Sequence, residues 1–187
     1  MLTAAKVAVL VGSLRKESLN RKMANALVSL NASPLNFQFA EIGNLPLYNE
    51  DLEKQYAPEE WLSFRRQIKS ADAALFFTPE YNRSVPGALK NALDVGSRPY
   101  GSSSWDGKPA AVISVSPGAI GAFGANQHLR QSFVFLNMPA MQQPEAYIGG
   151  AKEMFDAEGK LTNETTREFL NKFAQAFSSW IEMTRKR

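Results

Sequence analysis

Four apolar runs punctuate the chain. Lys6–Val11 (KVAVLV), Ala73–Thr78 (AALFFT) and Ala110–Val115 (AAVISV) are continuous in apolar, β-branched or aromatic residues. Such runs mark strands buried on both faces, as in a parallel sheet. Phe37–Ile42 alternates in part and reads as another strand, with Met138–Met141 as a short fifth. Helical spacing fills the intervals. Leu19, Met23, Ala26, Leu27 and Leu30 share one face before Ser33-Pro34 breaks the chain. Residues 43–57, with Pro46, Tyr48 and Asn49, read as an ordered loop. Pro58-Glu59-Glu60 opens a helix with proline in its first position, continued by Trp61, Arg65 and Ile68. A helix from about Pro86 turns Leu89, Ala92 and Leu93 inward, and another carries Leu129, Phe133 and Leu136. The last helix has the clearest stripe, Leu170, Phe173, Phe177, Trp180 and Ile181, with Thr162 or Asn163 as its cap.

The order is strand then helix, repeated about five times. It predicts an α/β fold: a parallel sheet with helices on both faces and right-handed crossovers. No repeat or linker divides residues 1–187, which predicts a single domain. In such folds ligands sit at the carboxyl ends of the strands, so the chemistry is sought in the loops that follow them.

The first loop is Gly12-Ser13-Leu14-Arg15-Lys16-Glu17-Ser18-Leu19-Asn20. It joins a buried strand to a helix N-terminus, where free N–H groups and the helix dipole favour an anion. Ser13, Ser18 and Asn20 add donors, and Arg15 offers a fork for phosphate oxygens. Neither the Walker A pattern nor the three-glycine dinucleotide pattern is present. The alternative reading is a plain turn, with Ser18 as N-cap and Arg15 in solvent. The second loop runs Pro79-Glu80-Tyr81-Asn82-Arg83-Ser84-Val85-Pro86-Gly87. Its prolines stiffen the path, Tyr81 offers a ring for stacking, and Asn82 can both donate and accept. The alternative is a rigid turn with a surface tyrosine. The third loop, Ser116-Pro117-Gly118-Ala119-Ile120-Gly121-Ala122-Phe123-Gly124, has glycines that admit a ligand close to the backbone. Its alternative is a flexible connection. Three such loops at three successive strand ends weigh more than any one of them.

Together GSLRKESLN, PEYNRSVPGALKNALD and SPGAIGAFGANQHLRQ resemble the NADPH-dependent FMN reductase family, flavodoxin-like quinone reductases that include chromate and azo-dye reductases. The resemblance covers nearly the whole chain, and PEYN-x-S-x-PG-x-LKN-x-x-D is its most specific part. It implies a flavodoxin-like three-layer sandwich with strand order 2-1-3-4-5. It implies that Ser13, Arg15, Ser18, Leu19 and Asn20 surround the FMN phosphate. Pro79, Glu80, Tyr81 and Asn82 would line the ribityl chain and ring, with Ser116, Pro117 and Gly118 near the ring's polar edge. Ala122 departs from the glycine often found there. The implied chemistry is ping-pong hydride transfer through flavin N5, from NADPH or NADH to a quinone or another small acceptor. No side chain of the protein is expected to be catalytic. The resemblance also implies a homodimer or homotetramer, and the helix carrying His128, Arg130, Phe133 and Phe135 is the expected contact surface.

Composition sharpens this picture. Cysteine is absent, which excludes thiolate metal sites, disulfides and cysteine nucleophiles and fits a cytoplasmic protein. A single histidine, His128, cannot make a metal site, and no metal is expected; packing or an interface is the reading for it. The start of the chain has no signal-peptide pattern, and no apolar run reaches the roughly 20 residues of a membrane span. The net charge of +3 lies partly in Arg185-Lys186-Arg187, read as a solvated helix end; no basic stripe interleaved with aromatics points to nucleic acid. The same charge disfavours the main rival, a flavodoxin-type electron carrier, since such carriers are usually acidic. Two weaker rivals are a flavin redox sensor and a phosphate-binding domain without flavin.

Overall fold

The computed structural model describes residues 4–30 and 34–185. The break read at Ser33, the tail residues Lys186 and Arg187, and the side chain of Arg185 lie outside the described residues. Five parallel strands, β1 (Ala5–Val11), β2 (Leu35–Ala40), β3 (Ala73–Thr78), β4 (Ala110–Val115) and β5 (Ala146–Ile148), form one sheet in the order β2-β1-β3-β4-β5. This is the flavodoxin-like order expected. Helices α1 (Leu19–Ser29) and α6 (Glu164–Arg185) cover one face; α3 (Glu59–Ser70), α4 (Gly87–Gly96) and α5 (Phe123–Phe135) cover the other.

The strand runs lack polar alternation because both faces are buried. Val7, Val9, Val11, Leu75, Phe77 and Ile113 pack with Met23, Leu27, Phe173 and Phe177 on one side. Ala8, Leu10, Phe76 and Val112 pack with Trp61, Trp105, Leu129 and Phe133 on the other. Each apolar side chain removed from water in this way contributes on the order of 1.5–3 kcal/mol, so the sheet is the core of the molecule.

Three local expectations change, and the cap of the last helix is resolved. Residues 43–57 are ordered but contain a short helix, α2 (Glu50–Gln55), capped by Asn49 Oδ1, which accepts from the Asp51 N–H at 2.9 Å. Acids in its first turn and Lys54 in its last suit the helix dipole. The preceding stretch is held by Asn91, whose Nδ2 donates to the Leu45 and Pro46 carbonyls while its Oδ1 accepts from Tyr48 N–H. Pro58 stands at the N-cap of α3, one position before the first helical residue; its carbonyl accepts from Trp61 and Leu62. Asn163, rather than Thr162, caps α6, accepting from Thr166 N–H. Met138–Met141 is no strand: the segment makes a single bridge at Ala140 to Ala110, and β5 lies further on. Pro139 lacks the N–H that would extend the ladder, so both methionines are buried, as expected, without pairing as a strand.

On α5, Phe133 is buried in the core and Arg130 is occupied by Asn126 Oδ1 and the Met141 carbonyl. The expected contact surface therefore loses Phe133. Its exposed apolar residues are Val134 and Phe135, more than four-fifths accessible.

The α2 segment is anchored by a nearly buried ion pair. Arg65 reaches Glu53 with two N–H groups, and its Nε donates to the Val95 carbonyl at the end of α4. Removing Glu53 strands a cation that is 6% exposed. Because Glu53 retains some solvent, Glu53→Ala is expected to cost about 2–4 kcal/mol, seen as a lower midpoint in urea or thermal unfolding.

Candidate functional site

The three loops meet at one end of the sheet. In the first, Gly12 N–H donates to the Phe77 carbonyl at 2.8 Å, tying the loop to β3. A Cβ on Gly12 would lie 3.1 Å from Leu89, 3.3 Å from Pro79 and 3.4 Å from Pro86. Glycine lets the first loop pack closely against Leu89 and the two prolines of the second; a larger residue would push these side chains back by a few tenths of an ångström. Asn20 Nδ2 donates to the Val115 carbonyl at 3.1 Å, joining the first loop to the end of β4, where the third begins. Glu80 Oε2 accepts from Ala125 N–H at 3.1 Å, joining the second loop to α5, where the third ends. Each loop is thus fastened to both others.

Within the first loop Ser13, Ser18 and Asn20 are buried, Leu19 is half-buried, and Leu14 to Glu17 are exposed. Ser18 is the N-cap of α1: its Oγ accepts from Arg21 N–H at 3.1 Å. The cap reading of Ser18 therefore holds, and its own hydroxyl hydrogen remains available. Among the described residues no backbone carbonyl takes the N–H groups of residues 13–17. They crown the N-terminus of an eleven-residue helix, an arrangement that attracts anions. Glu17 would oppose an anion, but Lys22 holds it at 2.8 Å. The hydrogen bond from Lys22 pulls its carboxyl below the usual range, helped by the charges of Lys22, Lys16 and Arg15.

In the second loop Tyr81 and Ser84 exchange two backbone hydrogen bonds of 3.0 Å. Asn82 and Arg83 between them have φ of 52° and 65°, a tight left-handed hairpin turn for which asparagine is well suited. Tyr81 and Asn82 are exposed and available to a ligand; Pro79 is half-buried. Glu80 is different, since its carboxylate faces α5 and an ion pair with Arg83.

The third loop is tied down by its own hydrogen bonds. Ser116 Oγ–H donates to the Gly118 carbonyl, Ala151 N–H to the Ser116 carbonyl, and Gly150 N–H to that of Gly118. Pro117 and Gly118 are exposed. Below them lies a network that sequence reasoning missed. Ser114 Oγ–H donates to the Gly121 carbonyl at 2.7 Å, Asn126 Nδ2 donates to Ser114 Oγ, and Arg130 Nε donates to Asn126 Oδ1. The signal for it was Asn126 itself, a polar residue three positions before Leu129 on the apolar face of α5. Leu14, Tyr81, Ile120 and Phe123, all within the three loops or at their ends, stay substantially exposed. Among the described residues no cluster of His, Asp and Glu could hold a metal.

Ala122 sits at the start of α5 with φ 59° and ψ 40°. A left-handed non-glycine residue is strained by about 1–2 kcal/mol, against roughly 0.5–1 kcal/mol for the extra chain entropy of glycine. Ala122→Gly is therefore expected to raise stability by about 0.5–1 kcal/mol, measured as a higher urea midpoint.

A family model described as NADPH-dependent FMN reductase matches residues 5–153. The chain is 64% identical over 179 residues to a quinone reductase of Pseudomonas putida, covering 96% of each. It is 48% identical over 178 residues to a 2-hydroxy-1,4-benzoquinone reductase of Burkholderia sp, covering 95% of this chain and 97% of that one. A solved structure, the flavoenzyme NAD(P)H:(acceptor) oxidoreductase FerB from Paracoccus denitrificans, superposes with a TM-score of 0.90 at 48% identity, covering 96% and 98% of the two chains.

Proposed function

The chain belongs to the NADPH-dependent FMN reductase family, and on that premise we propose that it binds FMN at the carboxyl ends of its strands and uses NADPH or NADH to reduce a small quinone-like acceptor. The observation that carries this reading is the open row of N–H groups at residues 13–17, in a loop fastened to both other strand-end loops. A cytoplasmic location belongs to the reading; the lack of cysteine supports it.

The residues present fit the cofactor. The N–H row, with exposed Arg15 and Lys16, suits a dianionic phosphate. Asn20 is 2% exposed, and its Oδ1 has no hydrogen-bond partner. With one amide hydrogen held by Val115, that oxygen calls for a donor, which a phosphate dianion is not. The ribityl hydroxyls of FMN are donors, so Asn20 is assigned to the sugar-like chain beside the phosphate. Ser13, Ser18 and Leu19 complete the phosphate end. Pro79, Tyr81 and Asn82 border the ring on one side, and Ser116 to Gly118 on the other.

Bound FMN supplies the hydride acceptance and donation, which is cofactor chemistry. The protein supplies position. Arg15 and the helix N-terminus would hold the phosphate, the stiff Pro79–Pro86 turn would border the ring, and Leu14, Tyr81, Ile120 and Phe123 would give it apolar surroundings. One face serves donor and acceptor in turn, so double-reciprocal plots against NADPH at several quinone concentrations are expected to be parallel; intersecting lines would refute a shared face.

The phosphate assignment has its own test. Arg15→Ala is expected to weaken FMN about tenfold, one charge-assisted contact at an exposed site. Riboflavin, which has no phosphate, is expected to bind both proteins equally. An equal loss for both ligands in fluorescence titrations would remove Arg15 from the phosphate end.

Assembly is the further part of the reading: a homodimer or homotetramer with the C-terminal end of α5 in the contact. Val134 and Phe135 support it, since both are largely exposed and Phe135 lines a surface cavity with Tyr100, also largely exposed. Light scattering after size exclusion is expected to give an oligomer, and Phe135→Asp to shift it towards monomer. A wild-type monomer at micromolar concentration would sink the proposal.

A further inference from the structure

Helix α5 begins without a cap of its own. Its N-cap residue is Ala122, whose methyl can accept nothing. The first-turn N–H of Ala125 is instead taken by Glu80 Oε2, from a loop 45 residues earlier. The side chain of Glu80 is 14% exposed, and its other oxygen lies 3.5 Å from Arg83. A second fastening lies one helical turn further on, where His128 Nδ1 and Ser84 Oγ are 3.0 Å apart. Residues 80 and 84 bracket the Tyr81–Ser84 turn, and Ala125 and His128 lie three apart on one face of α5. The turn is therefore pinned at both ends to the first two turns of the helix.

Gly124 makes the close approach possible. A Cβ there would lie 3.0 Å from Glu80 Oε2 and 3.1 Å from the Arg83 carbonyl oxygen. The carboxylate thus occupies space that any other residue at 124 would contest.

We infer that Glu80 is a positioning residue for FMN: its carboxylate caps α5 and so fixes the separation of the two loops that border the flavin ring. This rests on the cofactor reading above. The resemblance to the reductase family grouped Glu80 with residues that line the cofactor; the geometry gives its side chain a different task. The carboxylate turns to the neighbouring helix, while Tyr81 and Asn82 stay exposed on the turn. A cleft held at its working width before binding loses less ordering entropy when the ring enters. The essential property is a hydrogen-bond acceptor at that point, and the charge adds only dipole stabilisation.

Three variants separate these contributions: Glu80→Gln keeps an acceptor without charge, Glu80→Ala removes both, and Gly124→Ala forces the two elements apart with Glu80 intact. FMN affinity is read by fluorescence quenching, and amide exchange of residues 123–126 is read in the flavin-free protein. Loss of a cap corresponds to a weakening of up to about thirtyfold. Glu80→Ala and Gly124→Ala are expected to bind FMN about tenfold more weakly and to exchange faster at 123–126. Glu80→Gln is expected to stay within about threefold of wild type, rescued by its amide oxygen. Folded Glu80→Ala protein that binds FMN like wild type would overturn the inference. So would a Gln variant as weak as the Ala variant, which would assign the effect to charge. Wild-type protein that takes up no FMN would overturn the cofactor reading and this inference with it, and that outcome is visible in the wild-type titration alone.

Discussion

Three neighbouring strands end side by side, and the site depends on that register. Val11 of β1 lies opposite Phe77 of β3, Phe77 opposite Ile113 of β4, and Thr78 opposite Ser114. The strands are parallel, so the segments that leave them all emerge at the same edge. Because the central strands are buried on both faces, a slip in register would expose apolar side chains and displace a loop at the same time. Packing thus sets the spacing of the loops, and the loops need few fastenings of their own. Those they have are specific: Gly12 against Pro79 and Pro86, Asn20 to Val115, and Glu80 to Ala125.

The chemistry of this edge is divided between its parts. The first loop offers unclaimed N–H groups and cations at the start of α1, and it neutralises its own acid, Glu17, with Lys22. The second offers an exposed tyrosine and asparagine on a turn whose hydrogen bonds close upon themselves. The third is held from below by Ser114, Asn126 and Arg130. In the proposed reading the phosphate and ribityl chain of FMN meet the first loop and the ring lies between the second and third, which agrees with the family to which the chain belongs.

The sheet was legible in the sequence because fully buried parallel strands leave continuous apolar runs; β3 and β4 begin and end where those runs do. Their order followed from the family resemblance. What escaped was set by contacts distant in sequence. The α2 helix carries no apolar stripe, and its stability comes from Glu53 meeting Arg65 and from Asn49 at its cap. The run at 138–141 marked buried side chains correctly, but strand pairing is a backbone property, and Pro139 cannot donate. Phe133 and Phe135 look alike in sequence, yet they lie on opposite sides of α5, one in the core and one in solvent. The site loops were legible as loops. Their linkage was hidden, because Asn20, Glu80 and Asn126 make their bonds with partners 95, 45 and 12 residues away.

The three loops are proposed to hold a flavin that NADPH or NADH reduces and a quinone reoxidises. The most direct measurement is the visible spectrum of the FMN-loaded protein under anaerobic conditions, taken before and after stoichiometric NADPH, then NADH, and then a benzoquinone. A yellow protein that bleaches on adding the nicotinamide and regains its colour with the quinone is expected. Protein that takes up no FMN, or whose bound flavin neither nicotinamide can bleach, would contradict the proposal.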